Sequence, residues 1–588
     1  MSVLMALTNQ QLADIFNDIA GRLQIQGEVV FKTRAYSTVA ENILNSPRPI
    51  VELWQEGKLD EIPGVGKEIA RKLDELLRTG SLAFYERLRE EVPDGVAAML
   101  RVPNMGPQRV RAVWQQLNIT SIDALEAAAQ AGKLRDLPKF GAKTEEKILA
   151  GIASLRRRAT GRMRIGDALP IALELVAALR QVDGVRQITY AGSLRRGRET
   201  IGDLDILAAT ANPAPLMAAF RSLPAVNEVL GSGDTKTSVR LNNGLQADLR
   251  AIEPARWGTA LQYFTGSQAH NIRLRELAQK KGLSLNEYAL RPLAAESKKG
   301  GADELTFETE EGVYHALDLP FIPPELREDR GEIEAALAGQ LPDLITLDDL
   351  KGDLQMHSTW SDGATDVMGL ARAAMARGYA YILITDHTQS LAVANGLTAE
   401  RVARQRREIE QVNAELKGRF RVLHGVEVEV KSDGALDLPD DVLAQLDIVQ
   451  ASVHTSLSQP REKLTARAIN AIRNPHVDIL GHPSGRLINE REGGDFDWES
   501  LFQEAARQRV ALEINCDPAR LDLNETHARR AVELGCLLSI STDAHKPEQF
   551  GNIVYGVGIA RRAWVRPEVV VNTWPLNKLL KWAAARAL

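Results

Sequence analysis

The chain has only two cysteines, Cys516 and Cys536, in 588 residues. That is too few for a disulfide framework and fits a reducing compartment. No run of 18 apolar residues occurs, which excludes a helical membrane span. The first residues, MSVLMALTNQQLADIF, lack a basic segment and hold only a short apolar run, so no signal peptide is expected and the location is read as cytoplasmic. Excess positive charge is also missing, with a net charge of −6. This excludes a protein that coats DNA with its whole surface, but not one that grips phosphates locally. Apolar residues make up 44% and charged residues 26%, an ordinary globular balance that argues against wholesale disorder. At about 150 residues per domain, the length suggests roughly three to five domains.

Histidine is scarce in the first half. Eight of the ten histidines (357, 387, 424, 454, 476, 482, 527 and 545) follow residue 350. The proline- and acid-containing stretch 319–350 lies before them and reads as an exposed linker.

Residues 8–160 read as helices, and one phrase recurs in them: IPGVGKEIARKL, VPNMGPQRVRAV and LPKFGAKTEEKI. Each is an apolar residue, Pro, two residues and Gly, followed by a helix, with Gly66, Gly106 and Gly141 in the same slot. Glycine there allows a tight hairpin and brings backbone N–H groups at a helix N-terminus up to a phosphate. Such helix-hairpin-helix units hold a DNA strand without reading its sequence. A single copy would pass for an ordinary turn, but three with the same spacing argue for DNA binding. The first copy adds Gly64, where the others carry Asn104 and Lys139, so those two are expected to grip less well or to serve as structure. The arginines of ASLRRRATGRMR suit either a solvated helix end or phosphate contacts.

In residues 192–209, GSLRRGRETIGDLDILAA, the second half reads as a core strand that nevertheless carries Asp203 and Asp205. Two residues apart on a strand, they share one face, where their repulsion calls for a cation. Before them, Gly192-Ser193 after a strand, with Arg195, Arg196 and Arg198, suits a triphosphate cradle. A third carboxylate, Asp248, falls in the alternating run NGLQADLRAI. Three strand carboxylates beside a phosphate cradle suit two-metal, in-line attack of a hydroxyl on phosphorus.

The last 240 residues repeat a different unit. KGDLQMHSTWSDG, YILITDHT, VLHGVEVEV, DIVQASVH, DILGHPSG and LLSISTDAH are separated by helical stretches, and each ends in His, Asp or Glu. Polar residues at strand C-termini describe a barrel with chemistry at its mouth. The candidates are His357, Asp362, His387, Glu427, His454, His482, Asp543 and His545, a donor set suited to Zn2+, Mn2+ or Fe2+. Glu427 is preferred to Glu429, while His424, His476 and His527 are read as structural.

These motifs resemble the family X DNA polymerases in their long bacterial form. The resemblance rests on Gly192, Ser193, Arg196, Gly202, Asp203 and Asp205, on YFTGS at 263–267 and on NEYALRPL. It implies a catalytic triad of Asp203, Asp205 and Asp248 holding Mg2+ or Mn2+. It also implies nucleotide contacts from Gly192, Ser193, Arg196, Gly202, Tyr263, Phe264, Gly266, Asn271 and Arg275, and a DNA contact from Lys236. Lys72 matches the position of a Schiff-base lysine used for lyase chemistry, although a solvated helix lysine is the plainer reading. The histidine-rich half resembles the polymerase and histidinol phosphatase (PHP) domain, whose nine-ligand pattern opens with His; here Gln355 stands first and eight of nine match. That resemblance implies two or three divalent ions and a 3′-5′ exonuclease, 3′-phosphatase or abasic-site endonuclease.

The expected fold class is multidomain α and α/β. A helix-hairpin-helix region precedes a nucleotidyltransferase-type α+β polymerase core and a C-terminal distorted (β/α)7 barrel. The expected division is a DNA-end domain at 1–90, a fingers-like region at 91–160, a palm at 161–255 and a nucleotide-selecting subdomain at 256–318. The linker, 319–350, and the PHP domain, 351–588, follow. A monomer acting on gapped or nicked double-stranded DNA with dNTPs, in base excision repair, is expected. The competing readings are a PHP nuclease with an inactive or template-free nucleotidyltransferase half, and a DNA-end scaffold without activity.

Overall fold

The computed structural model describes residues 9–44, 50–62, 64–102, 104–135, 137, 140–158, 162–293 and 304–586. The chain divides into two compact units, Met1–Thr160 and Gly161–Leu588.

The first unit is helical, with two separate apolar clusters. All three recurring phrases close the same turn: the N–H of Val65, Met105 and Phe140 donates to the carbonyl of Ile62, Val102 and Leu137. The apolar residues at both ends of each turn are buried, which anchors the hairpins to the core. Gly66 and Gly106 cap the helices Lys67–Thr79 and Pro107–Leu117, and Gly141 immediately precedes Ala142–Arg158. A Cβ at any of these three glycines would meet nothing within 4 Å, so the backbone there is open to a ligand. Gly64 has φ +81° and Asn104 has φ +69°, the left-handed region that asparagine tolerates. The second hairpin therefore keeps the left-handed backbone of the first at this position. Pro63, Pro103, Pro138 and Lys139 lie outside the described residues, as do the side chains of Arg156, Arg157 and Arg158.

The second unit begins with a five-stranded sheet. Its second strand in spatial order, Asp203–Thr210, pairs antiparallel with Val185–Tyr190 and parallel with the central strand, Gln246–Ile252. The period-2 pattern divides Asp203–Thr210 between two cores. Leu204, Ile206 and Ala208 pack with the helix Ile165–Arg180, while Leu207 and Ala209 pack under Trp257 and Leu261 of the helix Trp257–Thr265. Asp203 and Asp205 fall on the second face, just beyond the helix that covers it.

The stretch 319–350 is not an exposed linker. Leu319, Ile322, Leu326, Ile333 and Leu344 share a core with Leu274 and Val313. Arg327 is 0% exposed and pairs with Glu310 at 2.6 Å, and Glu332 accepts from buried His270 at 2.7 Å. Of the acids that suggested exposure, Glu325, Glu328 and Glu334 pair with Arg561, Arg196 and Arg273.

From residue 352 onward, seven parallel strands follow one another in sequence order. A bridge between Met356 and Ala544 joins the two ends into a nearly closed barrel. One strand, Ala511–Asn515, ends in none of the anticipated ligands and was not anticipated from the sequence. Ile165, Leu175 and Leu204 belong to the same continuous apolar cluster as Leu512, Cys516 and Val557, so the sheet and the barrel share a core.

Candidate functional site

Two sites emerge in the second unit. In the first, Asp205 stands opposite Asp248 in the parallel register. Burial, with Asp203 and Asp248 nearby, pushes the Asp205 carboxyl up to about 6. Burial also raises Asp248, but hydrogen bonds from Lys236, Gln246 and Ser238 outweigh it and hold the group low. The Lys236 ammonium lies 2.7 Å from Asp248, so here it contacts a carboxylate of the triad rather than standing apart from it. Among the described residues these three carboxylates do not gather as a group within 4.8 Å, and Lys236 and Gln246 both hold Asp248. Lys236 occupies the role a cation would take.

Gly192, at φ +59°, starts the short helix Gly192–Arg195 immediately against Asp205. A cavity of about 830 Å³ opens there. Gly192, Ser193, Arg196, Asp203, Asp205, Tyr263, Phe264, Gly266, Asn271 and Arg275 all line it. Gly202 packs instead under Arg162, which itself lines the cavity and was not singled out from the sequence. Arg198 and Glu328 also face it. The Tyr263 and Phe264 rings meet edge to face at 5.1 Å, with Arg250 stacked 4.5 Å from the Phe264 ring. Asn271 is buried; it donates to the Tyr263 carbonyl at 2.7 Å and accepts from Gln262 at 2.9 Å, fixing the turn that presents the two rings. Arg196 donates from Nε to Glu328 at 3.0 Å and from Nη1 to the Thr265 carbonyl at 2.6 Å.

The second site is the barrel mouth. Glu427 sits at its centre, 2.9 Å from His387, 2.9 Å from His482, 3.3 Å from His454 and 3.6 Å from His357. His357 reaches Asp543 at 3.0 Å, and His545 lies 3.5 Å from Asp362. Donor atoms of His357, Asp362, His387 and His545 lie within 4.8 Å of one another, and so do those of His387, Glu427 and His454. Such crowding suits cations. His387 Nδ1 and Glu427 Oε2 approach without hydrogen-bond alignment, and His357 Nδ1 and His482 Nδ1 are also buried without a hydrogen bond. Burial opposes charge on His454 and His545, but neighbouring carboxylates outweigh it and push them up to about 10 and about 9. Glu429 takes the other nitrogen of His454 at 2.6 Å and so orients that ring.

The unanticipated strand adds Glu513 and Asn515 to this site. Asn515 donates to Asp543 at 3.0 Å and lies 3.5 Å from the Gln355 carbonyl oxygen, while Glu513 accepts from the His482 N–H at 2.7 Å. Burial, with Asp543 and Glu427 nearby, drives the Glu513 carboxyl well upward. A strand ending in Asn-Cys-Asp carries no histidine signal, so sequence reasoning passed over it. His424 bonds Gln405, and His527 packs on Trp498.

In the helical unit Lys72 is not a solvated side chain. It lies 2.5 Å from the Tyr36 hydroxyl and 2.6 Å from Glu68, above the Phe84 ring. Burial lowers its pKa, but the hydrogen bonds to Glu68 and Tyr36 outweigh that and raise it.

A hairpin-bearing helical unit, a sheet with strand carboxylates over a Gly-Ser cradle, and a histidine-rich parallel barrel together define a nucleotidyltransferase joined to a metallophosphoesterase-type barrel. Family models described as helix-hairpin-helix domain, SAM-like helix-hairpin-helix tandem and DNA polymerase beta thumb match residues 7–82, 96–154 and 260–328. The chain is 39% identical over 565 residues to the DNA polymerase/3′-5′ exonuclease PolX of Bacillus subtilis, covering 96% of this chain and 97% of that one. Probable phosphatases of Thermoanaerobacter sp. and Photobacterium profundum are 30% and 32% identical over 213 and 210 residues. Each match covers 34% of this chain, and 82% and 80% of the relatives. The chain belongs to the family X DNA polymerases, in the form with a PHP-type C-terminal part. The thumb match runs to residue 328, into the stretch expected as linker.

Proposed function

We propose that this chain fills short gaps in damaged DNA as a template-directed polymerase and trims or unblocks 3′ ends in its barrel. The observation that carries the first half is the register of Asp205 against Asp248 beside Gly192. Asp203, Asp205 and Asp248 offer only oxygen donors, which suit Mg2+ or Mn2+. Bound there, the ions supply the charge that activates a primer 3′-hydroxyl and holds the triphosphate. The chain's own residues then place the substrate. N–H groups at Gly192 and Ser193 receive phosphate oxygens, Arg196 balances their charge, and Tyr263 and Phe264 wall the sugar. Asn271 and Arg275 lie on the minor-groove side of the nascent pair. Gly64, Gly66, Gly106 and Gly141 hold the DNA backbone.

In the barrel, His357, Asp362, His387, Glu427, His454, His482, Asp543 and His545 would hold Zn2+, Mn2+ or Fe2+. Two ions suit the two crowded donor groups better than three. At the remaining corner the Asn515 amide donates to Asp543 and lies 3.5 Å from the Gln355 amide oxygen, and an amide is a poor ligand beside imidazole. The division proposed is a helical DNA-binding part to residue 160, a palm at 161–255, a thumb at 256–328 and a barrel at 351–588. Gapped DNA and dNTPs are the partners.

The test uses a one-nucleotide gapped duplex with dNTPs and, separately, a 3′-recessed end, with Mg2+ or Mn2+. Asp205→Ala is expected to abolish gap filling and spare the nuclease, and His482→Ala to do the reverse. The Lys236–Asp248 pair is what would favour an inactive polymerase half; gap filling by the wild-type chain that is lost in Asp205→Ala eliminates that alternative.

A further inference from the structure

Between the cradle and the carboxylate-bearing strand lies a loop, residues 196–199, reading Arg-Gly-Arg-Glu. Two arginines of the barrel half hold it. Arg562 ends the helix Ile553–Arg562, with its side chain 1% exposed. Its Nη1 donates to the carbonyl of Arg196 at 2.7 Å and to Glu328 Oε1 at 3.0 Å, and its Nη2 to Glu525 at 3.1 Å. Gly197, at φ +66°, turns the loop over the Arg562 stem; a Cβ there would lie 3.7 Å from Cδ. Arg486 pairs with Glu199 at 2.7 Å and also holds the Leu521 carbonyl.

A buried ion pair is weak support for stability, since apolar residues would serve as well. Its placement matters more here. Glu328 Oε1 accepts both Arg562 Nη1 and Arg196 Nε, and Arg196 and Glu328 both line the cavity that holds Asp203 and Asp205. Glu328 alone would cancel the charge of Arg196. With Arg562 and Arg198 also on Glu328, and Arg330 beside Arg562 on Glu525, four arginines face two glutamates and the group keeps net positive charge beside the cavity; Nη2 of Arg196 makes no hydrogen bond among the described residues. The carbonyl bond from Arg562 fixes the Arg196 main chain as well.

We propose that Arg562 and Arg486 are positioning residues for the polymerase: they hold the 196–199 loop so that Arg196 meets the triphosphate. The barrel half is thereby part of the nucleotide site. This rests on reading the palm cavity as the dNTP site.

The test is steady-state gap filling on the full chain, with nuclease rate and thermal unfolding measured on the same preparations. Arg562→Gln is expected to raise KM for dNTP about tenfold, with kcat within about twofold and the nuclease unchanged. Arg562→Lys, which keeps the charge, recovers part of that loss, and Arg486→Gln raises KM about threefold. Unchanged KM in both Arg562→Lys and Arg486→Gln overturns the proposal, even if Arg562→Gln does not fold. A parallel fall of polymerase and nuclease in all three variants overturns it too, because a merely structural role would do that. Asp205→Ala separates the two failures: gap filling that survives it defeats the reading of the cavity itself.

Discussion

A Cβ built on Gly192 would lie 2.3 Å from Oδ2 of Asp205, closer than any side chain can approach. The residue also has φ +59°, where a side chain is strained. Gly192→Ala must therefore push either the cradle or the carboxylate. Gap filling is expected to fall by about 100-fold, because a 1 Å misplacement is enough for that. The nuclease of the same preparation stays intact. Primer extension on a gapped duplex checks this, and near-normal extension would show that the close approach is irrelevant to catalysis.

Asp205 makes stability depend on pH in a definite direction. Its folded pKa of about 6 lies above the usual 3.8, so between those values the folded state keeps a proton that the unfolded chain releases. Stability contributed by this group falls as pH rises through that window, and the penalty is complete above it. Asp205→Asn removes the penalty. The metal-free variant should be more stable than wild type by about 2 kcal/mol at pH 7.5, allowing for partial exposure, and by nothing near pH 4. Mg2+ should stabilise the wild type but not the variant. Thermal unfolding at both pH values measures it; equal curves would contradict the burial argument.

The barrel should bind metal by releasing protons. His454 and His545, raised to about 10 and about 9, carry protons at pH 7 when no ion is bound. Their folded pKa values lie above the unfolded one, so the stability they add is full below about pH 6.5 and fades as pH passes 9 to 10. Adding Mn2+ to chelator-stripped protein in weak buffer at pH 7 should release about two protons per chain. His454→Gln should release fewer. Gln355→His should raise the bound metal from about two to about three ions per chain by elemental analysis. A wild-type count of three would remove any special role for Gln355.

Lys72 should be a poor Schiff-base former. Tyr36 and Glu68 hold its ammonium, and the raised pKa leaves little free amine at neutral pH. Borohydride trapping on DNA with a 5′ sugar phosphate is expected to give little adduct. Glu68→Gln, which removes one acceptor, should increase it several-fold. Strong wild-type trapping that vanishes in Lys72→Ala would overturn this.

Much of the site could be read before the fold was known, because its chemistry is written locally. Asp203 and Asp205 alternate on one strand, Gly192-Ser193 follows another, and six of the seven barrel strands contain or run into a histidine or glutamate of the anticipated set. What escaped was long-range. Glu513 and Asn515 lie on a strand without histidine and matter only because the barrel brings them to Asp543 and Gln355. Arg327 and Glu332 looked like linker charges, yet they are buried against Glu310 and His270, more than a dozen residues away in the chain. Nothing local marks Arg562 as a neighbour of Arg196 either, since 366 positions separate them.

The shared core has a practical consequence for anyone wanting the synthetic activity free of degradation. Trimming the chain ahead of residue 351 would strip the palm of the barrel residues that share its apolar cluster, and would take Arg486 and Arg562 away with the barrel. A nuclease-deficient enzyme is better made by silencing His482 in the intact chain, leaving the scaffold in place.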